Sequence, residues 1–353
     1  MTGNIHELLY DRILDITAVI NIPLKLFAIY VVLRHTPPPL RHYSFFILNT
    51  MIWNFIGNVV FSFMHLVPLF PAHCFRVDGI SRLFIDSELF GHLMYLTTFI
   101  FVNNFGLALV FIFPHRYVVF AHPKVAAHIR PAWVFGLCGG VHAALVLFGL
   151  INSPIVIGIF SYDDYPNKAE LPDRPFVFCF DPNESNILFY TAYTLGLIVE
   201  ILVIVASSIL FLRKVKKMKK QIVHDATLDL QKKVFSSLIV LTVIAIFFCF
   251  TPVVIMHCNA MFSGRLYNQG MAMICIVIIS NHGSFSAIAY LLFFKAYRDA
   301  VRRIFSNLFV KLTERKSKVR SVVIKSSSGD DTSPSTGTFS KLTSINNRSN
   351  NAK

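Results

Sequence analysis

A chain of 353 residues that is 54% hydrophobic and only 15% charged is not an ordinary soluble domain, which carries about 25% charged residues. The charges cluster, and between them lie several mostly apolar runs of about 18 residues or more, long enough to cross a bilayer as helices. A net charge of +14 would suit nucleic acid, but the placement of the Lys and Arg residues beside the apolar runs argues for membrane topology and against a nucleic-acid partner.

The expected fold is all-α: a seven-transmembrane helix bundle with its N-terminus outside and a short amphipathic helix after the last span. The spans fall at about 13–33, 43–69, 88–113, 132–152, 187–212, 234–258 and 268–293. Residues 1–12 form a short outer N-terminus. Met1–Tyr10 has no basic n-region and no small-residue cleavage site, so the first span is expected to act as its own insertion signal. With this orientation the inner loops before the tail hold thirteen Lys and Arg residues against six in the outer segments. That asymmetry sets the N-terminus outside and the C-terminus inside.

Polar residues punctuate the spans. Lys25 is near the middle of span one and Glu200 near the middle of span five. A charge at that depth costs roughly 2.5–3.5 kcal/mol even on a lenient scale, so each needs the bundle interior, water or a partner. For Lys25 the expectation is a snorkelling side chain. For Glu200, ligand contact and a protonated, hydrogen-bonded carboxyl stand as equal alternatives. In span two, steps of four and five keep Asn49, Trp53 and Asn58 near one face. Those amides, with Asn103 and Asn104 of span three, are expected to act as interhelical glue. Gly136-x-x-x-Gly140 in span four permits close helix approach, either as packing within the bundle, the favoured reading, or as a dimerisation face. In span six, Pro252 of Cys249-Phe250-Thr251-Pro252 removes a backbone hydrogen bond and should kink the helix, giving either a pivot or a packing bend.

Span three closes on Phe113-Pro114-His115-Arg116-Tyr117. Arg116 follows about 25 uncharged residues and must either reach the interface or be held in a polar seat between helices. The seven-span context favours a switch residue.

No soluble-enzyme motif, metal-ligand spacing or cofactor fingerprint is present, so neither an enzyme nor a cofactor is expected. Of six Cys residues, Cys74 and Cys179 lie in outer segments on the oxidising side and are expected to pair, with Cys258 as the rival partner. The bridge would pin the loop from Asp163 to Pro182 over the bundle mouth. Asn183-Glu184-Ser185 in the same loop is a glycosylation sequon.

After span seven, Tyr297, Val301, Ile304, Phe305 and Leu308 fall on one helical face, with Arg298, Arg302 and Arg303 on the other. This predicts an interfacial helix over 295–309 whose basic face meets anionic lipid. With it, the receptor domain spans 13–309. Residues 310–353 form a Ser/Thr-rich cytoplasmic tail, expected to be disordered. Phosphates on Ser326, Ser327, Ser328 and the stretch from Ser333 to Ser340 would bind a basic partner, with arrestin the candidate; an unmodified solvated tail is the alternative.

Four stretches together resemble the nematode serpentine chemoreceptors of class H (Srh) and related classes of the Str superfamily, within the G-protein-coupled receptor architecture. They are Pro23-Leu-Lys-Leu-Phe-Ala-Ile-Tyr30 running on to His35-Thr36-Pro37, Leu48 to Trp53, Leu230-Gln231-Lys232-Lys233, and Asn281-His282-Gly283-Ser284 followed by Tyr297-Arg298. The resemblance covers about 20 to 305. It departs from the broader rhodopsin-like pattern at His115, where an acid usually precedes the Arg. It also departs at Asn58 and at Asn281-His282-Gly283, which puts the usual ionic lock and sodium site in doubt.

The resemblance implies a chemosensory receptor in the plasma membrane, and in sensory neurons the ciliary membrane. Such a receptor binds a small environmental molecule and activates a heterotrimeric G protein. The alternative is a seven-span ligand-gated channel or transporter subunit, though the N-terminus-inside topology of an insect-type odorant channel runs against the charge count. The G-protein face is expected at His115, Arg116 and Tyr117 together with Lys216, Lys217, Lys219 and Lys220. Pro252, Asn281 and His282 are the switch candidates. The ligand pocket is expected between spans three, five, six and seven, lined by His92, Tyr95, Phe99, Tyr193, Glu200 and His257. It suits a small, mostly apolar molecule.

Overall fold

The computed structural model describes residues 5–38, 41–69, 72–83, 87–157, 159–166, 171, 176–181, 185–219, 226–261 and 268–327. Among them, seven helices are long and apolar enough to cross a membrane. The first three spans are α1 (Ile5–His35), α2 (Arg41–Met64) and α3 (Glu88–Ala121). The short α4 (Pro123–His128) leads into span four, α5 (Pro131–Ile157), and span five is α6 (Ser185–Lys219). Span six is α7 (Ala226–Ala245), a π-helical turn (Ile246–Phe250) and α8 (Thr251–Met261). Span seven is α9 (Asn268–Phe293), followed by α10 (Lys295–Ser327). The chain divides into two units, Met1–Val301 and Arg302–Lys353. In the first, α3 packs against α2, α5 and α6, and α9 packs against α1, α2, α7 and α8.

The π turn has a local cause. Pro252 has no N–H and its ring crowds the carbonyl four residues back, at Phe248. Widening the ladder by one residue over Ile246–Phe250 accommodates both.

Several boundaries differ from those expected. α1 starts at Ile5 rather than 13, so residues 5–12, expected to belong to a short outer N-terminus, are the first turns of a helix. Those turns are tied down: buried Tyr10 donates to Leu66 O at 2.7 Å, and Glu7 accepts from Arg76 at 2.8 Å. Arg76 is buried and also grips Asp78. Burial alone would lower its pKa, but the hydrogen bonds to Asp78 and Glu7 outweigh that and raise it. α2 stops at Met64 rather than at 69, because His65 enters the left-handed region at φ 40°. The loop then caps the helix: Gly79 N–H donates to Met64 O at 3.2 Å and Ser81 Oγ to Phe63 O at 2.7 Å. α3 runs past 113 to Ala121, so Arg116 lies inside it. The helix after span seven continues to Ser327 instead of ending at Phe309. In the second unit its apolar residues Phe305, Leu308, Phe309 and Val310 are exposed. Residues 328–353, most of the expected Ser/Thr-rich tail, lie outside the described residues.

The strands are an element the sequence did not announce. β1 (Leu66–Pro68), β2 (Cys74–Val77), β3 (Ile159–Phe160) and β4 (Val177–Phe180) form an antiparallel sheet in the order β1-β2-β4-β3. Every residue of β1, β2 and β4 is buried, so the alternation that marks a half-buried strand is missing. Cys74 and Cys179 stand directly opposite in register and are joined by a disulfide, and Cys258 is a free thiol. On one side the sheet buries Phe75, Phe178 and Phe180 with Tyr95, Leu96 and Ile100 of α3.

The Gly136-x-x-x-Gly140 motif does not pack within the bundle. A Cβ on either glycine would meet nothing within 4 Å. This face of α5 is outward, and Trp133, Leu137 and Leu147 on the same helix are exposed.

The disulfide closes a loop with a sequence separation of 105. Cys74→Ser should therefore cost about 2–4 kcal/mol of stability, read as a lower melting temperature of the purified chain than that of a Cys258→Ser control.

Candidate functional site

The six residues expected to line one pocket lie along α3 in three levels. At the level nearest the sheet, His92 Nε2 is 2.7 Å from Cys179 O and Nδ1 is 2.8 Å from Glu88 O. His92 therefore fastens α3 to β4 rather than facing a pocket. At the middle level, Tyr95, Phe99, Tyr193 and His257 do converge, and Tyr190 joins them. Phe99 meets Tyr193 edge-on at 5.0 Å and stacks on His257 at 5.8 Å, while His257 lies 5.1 Å from Tyr190 and 5.0 Å from Tyr193. Tyr95 and Tyr190 share a hydroxyl contact at 3.3 Å, and Thr194 Oγ1 is 3.1 Å from His257 Nδ1. At the level farthest from the sheet, the Glu200 carboxyl lies against Gly106, where any Cβ would collide with it, and its Oε2 is buried without a hydrogen-bond partner among the described residues. From His92 to Gly106 is 14 helical steps, about 21 Å at 1.5 Å per residue, too far for one small ligand. The middle level alone is a shared aromatic cluster, closed by its own rings.

A second constellation is polar and central. Lys25 does not snorkel: it is 3% exposed and its Nζ lies against Gly283 of α9 and Asn54 Oδ1 of α2. Asn54 Nδ2 is 3.0 Å from His282 Nδ1, and His282 is buried. Asn21 and Asn58 both donate to Ser280 O, at 3.0 and 2.6 Å, and Ser284 Oγ bonds Asn21 Oδ1. Asn281 donates to Thr17 Oγ1 at 3.3 Å and to Val277 O at 2.9 Å. Polar side chains of α1 and α2 thus converge on one stretch of α9. A narrow cavity beside it is lined by Lys25, Thr50, Asn54, Phe105, Gly283 and Ser286. Another, which shares Asn54 and Phe105 in its lining, reaches His282, Asn58 and Cys249.

Asn54 and Asn58 share a face by their four-residue step, whereas Asn49 and Trp53 point elsewhere, so the face expected in span two divides. Asn49 Nδ2 is 3.0 Å from His142 Nε2, His142 Nδ1 is 2.7 Å from Asn104 Oδ1, and Trp53 packs on the same imidazole at 5.1 Å.

Toward the Ala121 end of α3, Arg116 is buried, its guanidinium 4.5 Å from the centre of the Tyr43 ring. It is seated between helices on an aromatic face. His115 packs on Phe46 at 4.5 Å and Tyr117 on His122 at 5.9 Å. Phe113 and Phe211 both touch Phe235 of α7. Lys216 and Lys217 are exposed. The side chain of Lys219 and the whole of Lys220 lie outside the described residues, as does Asn183. Tyr297 Oη is 3.0 Å from Thr36 Oγ1, and Arg298 Nη1 donates to Leu292 O at 3.2 Å, capping the end of α9.

Sequence reasoning missed Tyr43, Asn21 and Gly283 as partners. Gly283 carried a signal, a glycine among polar residues mid-span, but its use is to let Lys25 and Asn54 approach the α9 backbone. No group of three or more His, Cys, Asp or Glu residues that could hold a metal ion occurs among the described residues.

The family model for the serpentine type 7TM GPCR chemoreceptor Srh matches residues 7–307. The chain belongs to that family and is a multi-pass membrane protein. No curated protein matches the chain.

Gly283→Ala should force the Lys25 and Asn54 side chains apart and cost about 1–3 kcal/mol. Gly270→Ala, on the same helix with open space around it, should shift stability by no more than about 0.5 kcal/mol. Thermal unfolding of the two variants checks this.

Proposed function

We propose that this Srh chain is a chemosensory receptor that binds a small, mostly apolar environmental molecule and, when bound, activates a heterotrimeric G protein. The observation that carries the reading is the aromatic cluster of Tyr95, Phe99, Tyr190, Tyr193 and His257. Its rings come from α3, α6 and α8, so a molecule wedged among them has purchase on three spans. His257 sits on the outer side of the π turn, and α7 on its inner side packs Phe235 against Phe113 and Phe211. A push on His257 therefore acts across the weakest point of span six. The ligand selects the bundle in which α7 has swung away, a population shift between two states.

In this reading the end bearing Lys216 and Lys217 is cytoplasmic, as the charge asymmetry supports, and the disulfide side is extracellular. Leaving the Tyr43 ring frees Arg116 for the G protein, with Lys216, Lys217, Lys219 and Lys220 adding positive charge around it. His115 and Tyr117 flank that face. Pro252, Asn281 and His282 are the switch positions. The receptor acts at the plasma membrane, in cilia of sensory neurons, where it serves olfaction. Exposed apolar residues of α10 suit a lipid interface, and phosphorylation of the tail would recruit arrestin. Asn183 is the glycosylation candidate.

Arg116→Ala should abolish G-protein signalling while leaving surface expression intact, in cells screened with a calcium readout. Normal signalling by that variant sinks the inner-face assignment. Glu200→Gln keeps the shape of the side chain and removes its charge. Because Glu200 lies about 10 Å along α6 from the cluster, the substitution should leave the dose–response curves of ligands held by the rings nearly unchanged; a shift of about tenfold for a basic ligand would place that ligand's cation at Glu200 instead. Unchanged curves for every active ligand, at matched expression, would make Glu200 structural.

A further inference from the structure

Two buried donors in the centre of the bundle have no partner. Lys25 Nζ makes no hydrogen bond or ion pair among the described residues, and Lys25 is 3% exposed. His282 is 1% exposed and its Nε2 is likewise without a partner. Asn54 lies between them. Its amide nitrogen faces His282 Nδ1 at 3.0 Å and its amide oxygen faces the Lys25 ammonium over Gly283. With Asn54 donating to Nδ1, the proton of the neutral imidazole is on Nε2, so Nε2 is a donor and not an acceptor.

Lys25 lines one of the cavities flanking Asn54 and His282 lines the other, and Asn54 and Phe105 line both. No carboxylate lines either cavity. Ser286 adds a hydroxyl on the Lys25 side. Each cavity has room for a body about the size of one water molecule. A buried ammonium without a counter-charge is strongly unfavourable, and a second unmet donor beside it adds to the cost. One small acceptor carrying a negative charge in the Lys25 cavity would relieve the ammonium.

We propose that the cavity lined by Lys25 is a binding site for one small monovalent anion of halide size, held by the Lys25 ammonium with the Ser286 hydroxyl beside it. The size of the space excludes an anion with a side chain. The site is separate from the aromatic cluster and closer to the α1–α2–α9 seam, so the anion stabilises that seam whether or not a chemosensory ligand is bound.

The test uses the full chain purified in detergent, with thermal unfolding followed by tryptophan fluorescence. Sodium chloride replaces sodium gluconate from zero to about 0.3 M at constant ionic strength, so that screening of the basic surface is held fixed. Wild type should gain about 2–4 °C in melting temperature along a saturating curve. Lys25→Gln should show no chloride response. Should Lys25→Gln fail to fold, Ser286→Ala, which removes the hydroxyl beside the anion, is expected to need several-fold more chloride for half the shift. Equal melting of wild type in the two salts overturns the proposal, and so does an unchanged chloride response in Lys25→Gln or Ser286→Ala, because the anion would then bind elsewhere. The readout needs neither a chemosensory ligand nor a G protein, so it stands or falls apart from the receptor reading.

Discussion

The fold turns on the difficulty of placing polar groups where neither water nor lipid headgroups can reach them. Lys25, Asn54, Asn58, Ser280, His282 and Ser284 are all buried. In hydrocarbon each would be a steep penalty, so they are arranged against one another across α1, α2 and α9. The backbone of α9 is part of the arrangement: Ser280 O takes two side-chain amides, and Gly283 has no Cβ to keep Lys25 and Asn54 away. The apolar remainder of these helices has no comparable preference for one register, because lipid tails solvate Leu and Ile as well as a neighbouring helix does. The polar seam therefore fixes how the three helices meet.

A second fixed point lies at the other end of α3. The sheet holds α1 through Tyr10 and Arg76, and α3 through His92, while the disulfide ties β2 to β4. This gives the aromatic cluster a rigid roof. The cluster itself is built of rings on separate helices, whose edge-on contacts can be exchanged for contacts with another apolar molecule at little cost. A rigid sheet on one side and adaptable packing on the other are what the proposed recognition of a small molecule by the cluster would use.

The seven spans were legible because length and hydropathy are averages that survive errors in detail, and α9 was located to the residue. The pairing of Cys74 with Cys179 followed from the side of the membrane on which each fell. What sequence could not supply was rotation. Span ends were set by contacts distant in sequence, such as Gly79 capping α2 and Glu7 reaching Arg76. Lys25 reads as a snorkelling residue until the glycine and amide that receive it, on two other helices, are in place. Glu200 and Tyr193 share a face of α6, yet seven steps along that helix carry Glu200 down to Gly106, about 10 Å below the aromatic cluster. The strands were hidden because burial on both faces erases the alternation that would mark them.

The arrangement of span six connects these two fixed points. Its outer segment, α8, carries His257 in the aromatic cluster, and its inner segment, α7, packs Phe235 against α3 and α6. Between them the π turn holds Cys249, which lines the cavity beside His282. A π turn of this kind is a single-turn bulge inside an α-helix, frequently found at functional sites. In the proposed two-state reading, motion of α8 is taken up there, next to the central polar seam. Whatever charge occupies that seam then bears on how readily span six bends, which links the chemistry around Lys25 and His282 to the movement of α7.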